Sequence, residues 1–128
     1  MQDVIDIVEQ RTKAVEAYVQ AFEDGDADAV LVLYADEATV EDPYGTEAIR
    51  GRDAIHAFYL KAMELDARLF LDGPVRVAGD IAAFPFTVHV TYEGKKQRLE
   101  VIDTFRFDAE GKIIEMRAFW GPLNIQEV

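Results

Sequence analysis

The spacing of hydrophobic residues changes from a helical period to a period of two near Leu69, and this switch confines the chain to folds in which helices precede a sheet. Beyond it, Ala82, Phe84, Phe86, Val88, Val90 and Tyr92 alternate with Ala83, Pro85, Thr87, His89 and Thr91, the pattern of a strand with one apolar face. Before it, Val4, Ile7, Val8, Val15, Tyr18, Val19 and Phe22 recur at three- and four-residue steps, and Gly25 offers a stop. Asp26 is placed to cap a short second helix carrying Ala29, Val30, Leu33 and Tyr34. A third helix after Gly51 puts Ile55, Phe58, Tyr59 and Ala62 on one stripe. Glu93-Gly94 and the stretch from Asp108 to Gly111 are turn signals that divide the second half into an antiparallel meander. Pro85 has no N–H to give a ladder and predicts an edge or a bulge. Helices followed by strands make an α+β domain, expected as one unit over residues 1–128, with helices on a curved sheet whose inner face is free to line a cavity.

Charge and composition remove several function classes. Twenty-five acidic residues against 13 basic ones give a net charge of -12, which repels a phosphate backbone, so no nucleic-acid partner is expected. The absence of cysteine excludes disulfides, thiolate metal sites and a cysteine nucleophile. No run of about 18 apolar residues exists to span a membrane, and MQDVIDIVEQRTK lacks the form of a signal peptide. A cytoplasmic location is expected. A glycine-rich phosphate loop is also missing, and two isolated histidines, His56 and His89, both off the apolar patterns, make neither a metal site nor an obvious catalytic pair.

Chemistry is suggested where polar residues interrupt apolar patterns. In Leu99, Val101, Asp103, Phe105 and Phe107, one face of a strand carries a carboxylic acid among hydrophobes. Desolvation there favours the neutral acid, which can donate a hydrogen bond. A bulge that turned Asp103 to solvent, or an arginine that neutralised it, would account for the same residues. Asp42 ends the run Ala38, Val40, Asp42 just before Pro43; partly desolvated, it has the property of a general base, although an ordinary turn aspartate reads the same way. Tyr18, Tyr34 and Tyr59 fall on the buried stripes of successive helices, where each phenol needs a partner, whether another phenol, a backbone carbonyl or the surface. Ile114, Met116, Ala118 and Trp120 give the last strand an apolar face, and with Phe84 and Phe86 they form either the wall for a flat apolar ligand or plain core.

The segments AYVQAFEDGDADAV, LYADEATVEDPYG, GRDAIHAFY, VIDTFRFDAEGKI and RAFWGPLNI together resemble the bacterial delta-5-3-ketosteroid isomerases along nearly the whole chain. The resemblance implies a nuclear transport factor two-like cone, three N-terminal helices on a curved, mostly antiparallel mixed sheet, in a homodimer with a deep apolar cavity. It implies a 3-ketosteroid substrate whose double bond moves from the 5-ene to the conjugated 4-ene position without a cofactor. Asp42 is similar to that family's general base, and Tyr18 and a protonated Asp103 to its two donors to the ketone oxygen. Tyr34 and Tyr59 resemble the supporting phenols, with Phe84, Phe86, Met116 and Trp120 as substrate walls. Because the same cone hosts dehydratases, polyketide cyclases, epoxide hydrolases and carriers, the isomerase expectation rests on these site residues rather than on the fold.

Overall fold

The computed structural model describes residues 3–128. Helix α1 spans Val4–Asp24 and begins at Asp3, whose carboxylate accepts the N–H of Ile5. It ends where Gly25 takes a left-handed φ of 64°, so that the N–H groups of Gly25 and Asp26 reach the carbonyls of Phe22 and Ala21. Asp26 then accepts the N–H of Ala29 and starts α2, Ala27–Leu31. Gly51 precedes α3, Arg52–Glu64.

The second helix is shorter than its apolar spacing predicts. Tyr34, expected on that helix, is instead the first residue of strand β1, Tyr34–Glu41. The cause is tertiary: the carbonyl of Leu33 accepts the N–H of Ile113, and Tyr34 pairs in parallel with Ile113 at the start of β7, Ile113–Phe119. The Arg52 guanidinium reinforces the turn by donating to the carbonyls of Leu31 and Tyr34. Sheet pairing thus overrides a local helical preference.

The remaining strands are β2 (Ile49–Arg50), β3 (Arg68–Leu71), β4 (Arg76–Ala78), β5 (Ile81–Tyr92), β6 (Lys95–Phe107) and β8 (Ile125–Glu127). Together they form one mixed sheet in the order β2-β1-β7-β6-β5-β3, with β4 on β5 and β8 on β6. All pairings are antiparallel except β1 with β7. Glu93 and Gly94, with φ of 51° and 76°, close a two-residue hairpin between β5 and β6. The Asp108 carboxylate accepts the N–H groups of Glu110 and Lys112 and shapes the turn into β7.

Pro85 lies inside the sheet, yet its missing N–H costs the ladder nothing. Its carbonyl faces the β3 and β4 side, accepting from Asp72, at the gap between the residues of β5 paired with β4 and those paired with β3. The interruption that proline signalled is therefore in the neighbouring strands. A second departure concerns β7: Arg106 pairs with Glu115 but Phe107 with Ile113, so a bulge turns Ile113 rather than Ile114 into the core.

Three helices pack on this mixed sheet in the expected α+β cone, α1 against β3 and β4, α3 against β1 and β2. The inner face carries Val40, Met116, Phe105 and Ala82 in one row across β1, β7, β6 and β5, all buried. No helix among the described residues is long and apolar enough to cross a membrane.

Candidate active site

One row along from that apolar layer, the inner face becomes polar. Asp103 on β6 lies between Ala118 on β7 and Phe84 on β5. Asp42 follows Glu41, whose register partner is Arg117, so the base of its side chain falls level with Ala118. The two aspartates flank one alanine, their backbones two strand spacings or about 10 Å apart. Both line a cavity of about 150 Å³ between the sheet, α1 and α3. Its other polar side chains are Tyr18 from α1, Tyr59 from α3 and Trp120 just past β7; the rest of its lining is apolar, including Phe22, Phe58, Ala62, Phe86, Val88 and Val101.

Asp103 is only 1% exposed, and among the described residues its Oδ1 has no hydrogen-bond partner. Burial first, and the Asp42 charge second, push its carboxyl well above the ordinary carboxylate range. The shift favours the neutral acid, a form that can donate a hydrogen bond, on a residue that lines the cavity. Asp42 is also raised by burial, but Trp120 opposes the shift by donating its indole N–H to Asp42 Oδ1 at 2.6 Å. The two carboxyls differ because Asp103 is the more deeply buried and feels the Asp42 charge, while Asp42 has the Trp120 donor.

The three phenols converge. Tyr59 Oη lies 2.5 Å from Tyr34 Oη and 3.1 Å from Tyr18 Oη. Burial raises all three well above the ordinary phenol value, so each stays neutral and retains its proton to donate. Tyr18 ends this chain on the cavity; Tyr34 stands behind it, outside the lining. The neighbouring charge of Asp103 adds to the upward shift of Tyr18, while its bond to Tyr59 opposes it.

Of the expected walls, Phe86 and Trp120 line the cavity, but Phe84 and Met116 do not. Both are buried behind it, Phe84 beneath the rings of Phe86 and Phe105 at centroid distances of 5.4 and 5.0 Å. Strand parity placed them on the correct face without revealing that other side chains cover them. The lining residues Phe22, Phe58 and Ala62 were legible only as stripe positions, and the bond from Trp120 to Asp42 had no sequence signal. His56 pairs with Asp28 at 2.7 Å and His89 meets the Phe70 ring edge-on; neither reaches the cavity. Among the described residues, no group of three or more His, Asp or Glu side chains is arranged to hold a metal ion.

The SnoaL-like domain matches residues 15–116, a span that includes both aspartates and all three phenols. The chain belongs to the SnoaL-like family. Within it, the chain is 40% identical over 111 residues to a steroid Delta-isomerase of Nocardioides simplex, covering 85% of this chain and 88% of that protein. This bears out the resemblance to ketosteroid isomerases. The epoxide hydrolase LasB of Streptomyces lasalocidi is 29% identical over 116 residues, 87% of this chain and 41% of that protein. A solved structure described for the role of the epoxide hydrolase/cyclase-like enzyme SalBIII in pyran ring formation superposes with a TM-score of 0.89 at 25% identity, covering 94% of this chain and 97% of that one. The chain is thus similar both to a steroid isomerase and to an epoxide hydrolase, and shares its fold with an epoxide hydrolase/cyclase-like enzyme.

Proposed function

We propose that this protein is a steroid delta-isomerase that converts 5-ene-3-ketosteroids to conjugated 4-ene-3-ketosteroids by moving one proton. Asp42 takes the proton from the carbon between ketone and alkene, and the carbon–hydrogen electron pair becomes the dienolate. The same carboxyl returns the proton to the far end of the allylic system, so atoms and charge balance without a co-reactant. A carboxylate is a weak base for a carbon acid, so the dienolate oxygen needs preorganised donors. Tyr18 and protonated Asp103 supply them, and Tyr59 with Tyr34 polarises Tyr18 from behind. Phe86 and Trp120 are flat apolar walls for the steroid.

The observation that carries this reading is the unpartnered, fully buried Asp103 facing the same apolar cavity as Asp42 and Tyr18. A carrier would have no use for an acid held there at a cost in desolvation. The similarity to the Nocardioides simplex isomerase supports the choice of reaction. The reading extends to a homodimer, one domain over the chain, and a cytoplasmic location.

The test is an ultraviolet assay with 5-androstene-3,17-dione, following the conjugated product, with Asp42→Asn alongside. Turnover that falls by about 10²- to 10⁴-fold in the variant supports the base. Full turnover in Asp42→Asn overturns it. A second reading, epoxide opening with Asp103 as acid and Asp42 as base, draws on the LasB and SalBIII relatives; it would be preferred if the steroid were inert and an epoxide substrate were opened.

A further inference from the structure

One side chain on the opposite face of the sheet touches residues on either side of Asp42. Glu41 precedes the aspartate and points away from the cavity, where its Oε1 lies 3.6 Å from Nε of Arg117. Tyr44 follows two residues after it, and its ring lies under the same guanidinium, 4.9 Å from centroid to Cζ. The Tyr44 N–H donates to the carbonyl of Ala118 at 2.7 Å, the next residue along β7. Arg117 also has one terminal nitrogen 3.4 Å from Glu115 Oε2, and since its buried Nε makes no hydrogen bond among the described residues, its contacts with the two glutamates are ionic. The side chains of Glu41, Glu115 and Arg117 are 19%, 24% and 34% exposed, so the ion pairs are partly shielded from solvent screening, while Tyr44, 53% exposed, stacks on the guanidinium at the surface.

We infer that Arg117 is a positioning residue for Asp42, acting through Glu41 and Tyr44 from the back of the sheet. The inference rests on the reading of Asp42 as the base. On the cavity side the aspartate is held at its carboxyl by Trp120; on the other side Arg117 touches the side chains of residues 41 and 44, whose backbones are already set by the β1–β7 register and by the Tyr44 N–H bond to Ala118. A planar guanidinium can pair with a carboxylate at its edge while stacking on a ring with its face, and lysine cannot do both. The geometry matters because the carboxylate must reach two carbon positions in turn, and a displacement of about 1 Å can cost about a hundredfold in rate.

The experiment compares kcat, KM and melting temperature for Arg117→Gln, Glu41→Gln, Tyr44→Leu and Arg117→Lys, with Asp42→Asn alone and combined with Arg117→Gln. Affinity for β-naphthol, a phenol that requires only the donors Tyr18 and Asp103, reports the far side of the cavity. Arg117→Gln is expected to lower kcat by about tenfold to a hundredfold while KM and phenol affinity stay within about twofold. Tyr44→Leu and Glu41→Gln lose less, and Arg117→Lys restores part. In the Asp42→Asn background, Arg117→Gln has little further effect. If Arg117→Gln does not fold, Tyr44→Leu and Glu41→Gln carry the test. Unchanged kcat in these variants beside an inactive Asp42→Asn overturns the positioning role alone. A fully active Asp42→Asn overturns the base and the positioning role with it. Parallel loss of phenol affinity and kcat marks a general structural role and also overturns the inference.

Discussion

Trp120 donates its indole N–H to Asp42 Oδ1 across 2.6 Å, and this bond opposes the burial that raises the pKa of the same carboxyl. The balance matters for a base, which must be ionised at the working pH yet not so stabilised that it refuses the proton. Removing the donor favours the protonated acid. Trp120→Phe keeps an aromatic wall and deletes only the N–H, so the acid limb of kcat/KM is expected to move to higher pH. On the acid side of the shifted limb activity falls by up to roughly tenfold, the size expected for one charge-assisted bond, and it recovers as rising pH ionises Asp42. A pH–rate profile whose acid limb stays in place would contradict this account of Asp42.

Asp103 has the opposite problem, since nothing in the protein stabilises its anion. Its raised pKa means that the folded protein binds a proton the unfolded chain releases, so the stability linked to this group is complete below the ordinary carboxyl value and declines as pH climbs through the folded one. Asp103→Leu removes both the titration and the buried acid. Its stability relative to the wild type is expected to rise with pH above the ordinary carboxyl value, reaching about 1–3 kcal/mol, the cost of one unsatisfied buried polar group, read as a growing difference in melting temperature. The same change lowers kcat by about 10²- to 10³-fold, the loss of one donor to the oxyanion. Asp103→Asn, which keeps a donor but cannot ionise, moves the alkaline limb of kcat upward. Thermal melts and pH–rate profiles of the two variants separate stability from chemistry.

Asp103 was legible in the sequence because strand alternation is a local property: Val101, Asp103 and Phe105 share a face by geometry whatever surrounds them. Tyr34 was misread because its fate depends on Ile113, far along the chain, whose backbone captures the segment for β1. The Tyr18 and Tyr59 helices were placed correctly by their stripes, while the meeting of their hydroxyls with that of Tyr34 depends on how α1 and α3 sit against the sheet. Parity supplies the face of a strand but not the depth of what covers it. That is why Phe84 and Phe86, identical residues on one face of β5, have separate positions, one behind the cavity and one on it.

This last difference predicts a separable pair of effects. Phe84 is fully buried among Tyr18, Phe86 and Phe105, so Phe84→Ala opens a void that its neighbours fill only in part. The expected cost is about 3–5 kcal/mol of stability, read as a lower urea midpoint, with KM of the folded enzyme changed by less than about threefold. Phe86 lines the cavity, so Phe86→Ala is expected to remove contact with the proposed steroid substrate and raise KM by about tenfold, the equivalent of losing a good part of one buried aromatic contact. Urea melts and Michaelis curves on both variants check the assignment. A large KM effect at Phe84 with unchanged stability would mean that the substrate reaches deeper than the cavity extends, and that the wall stands two residues earlier on β5.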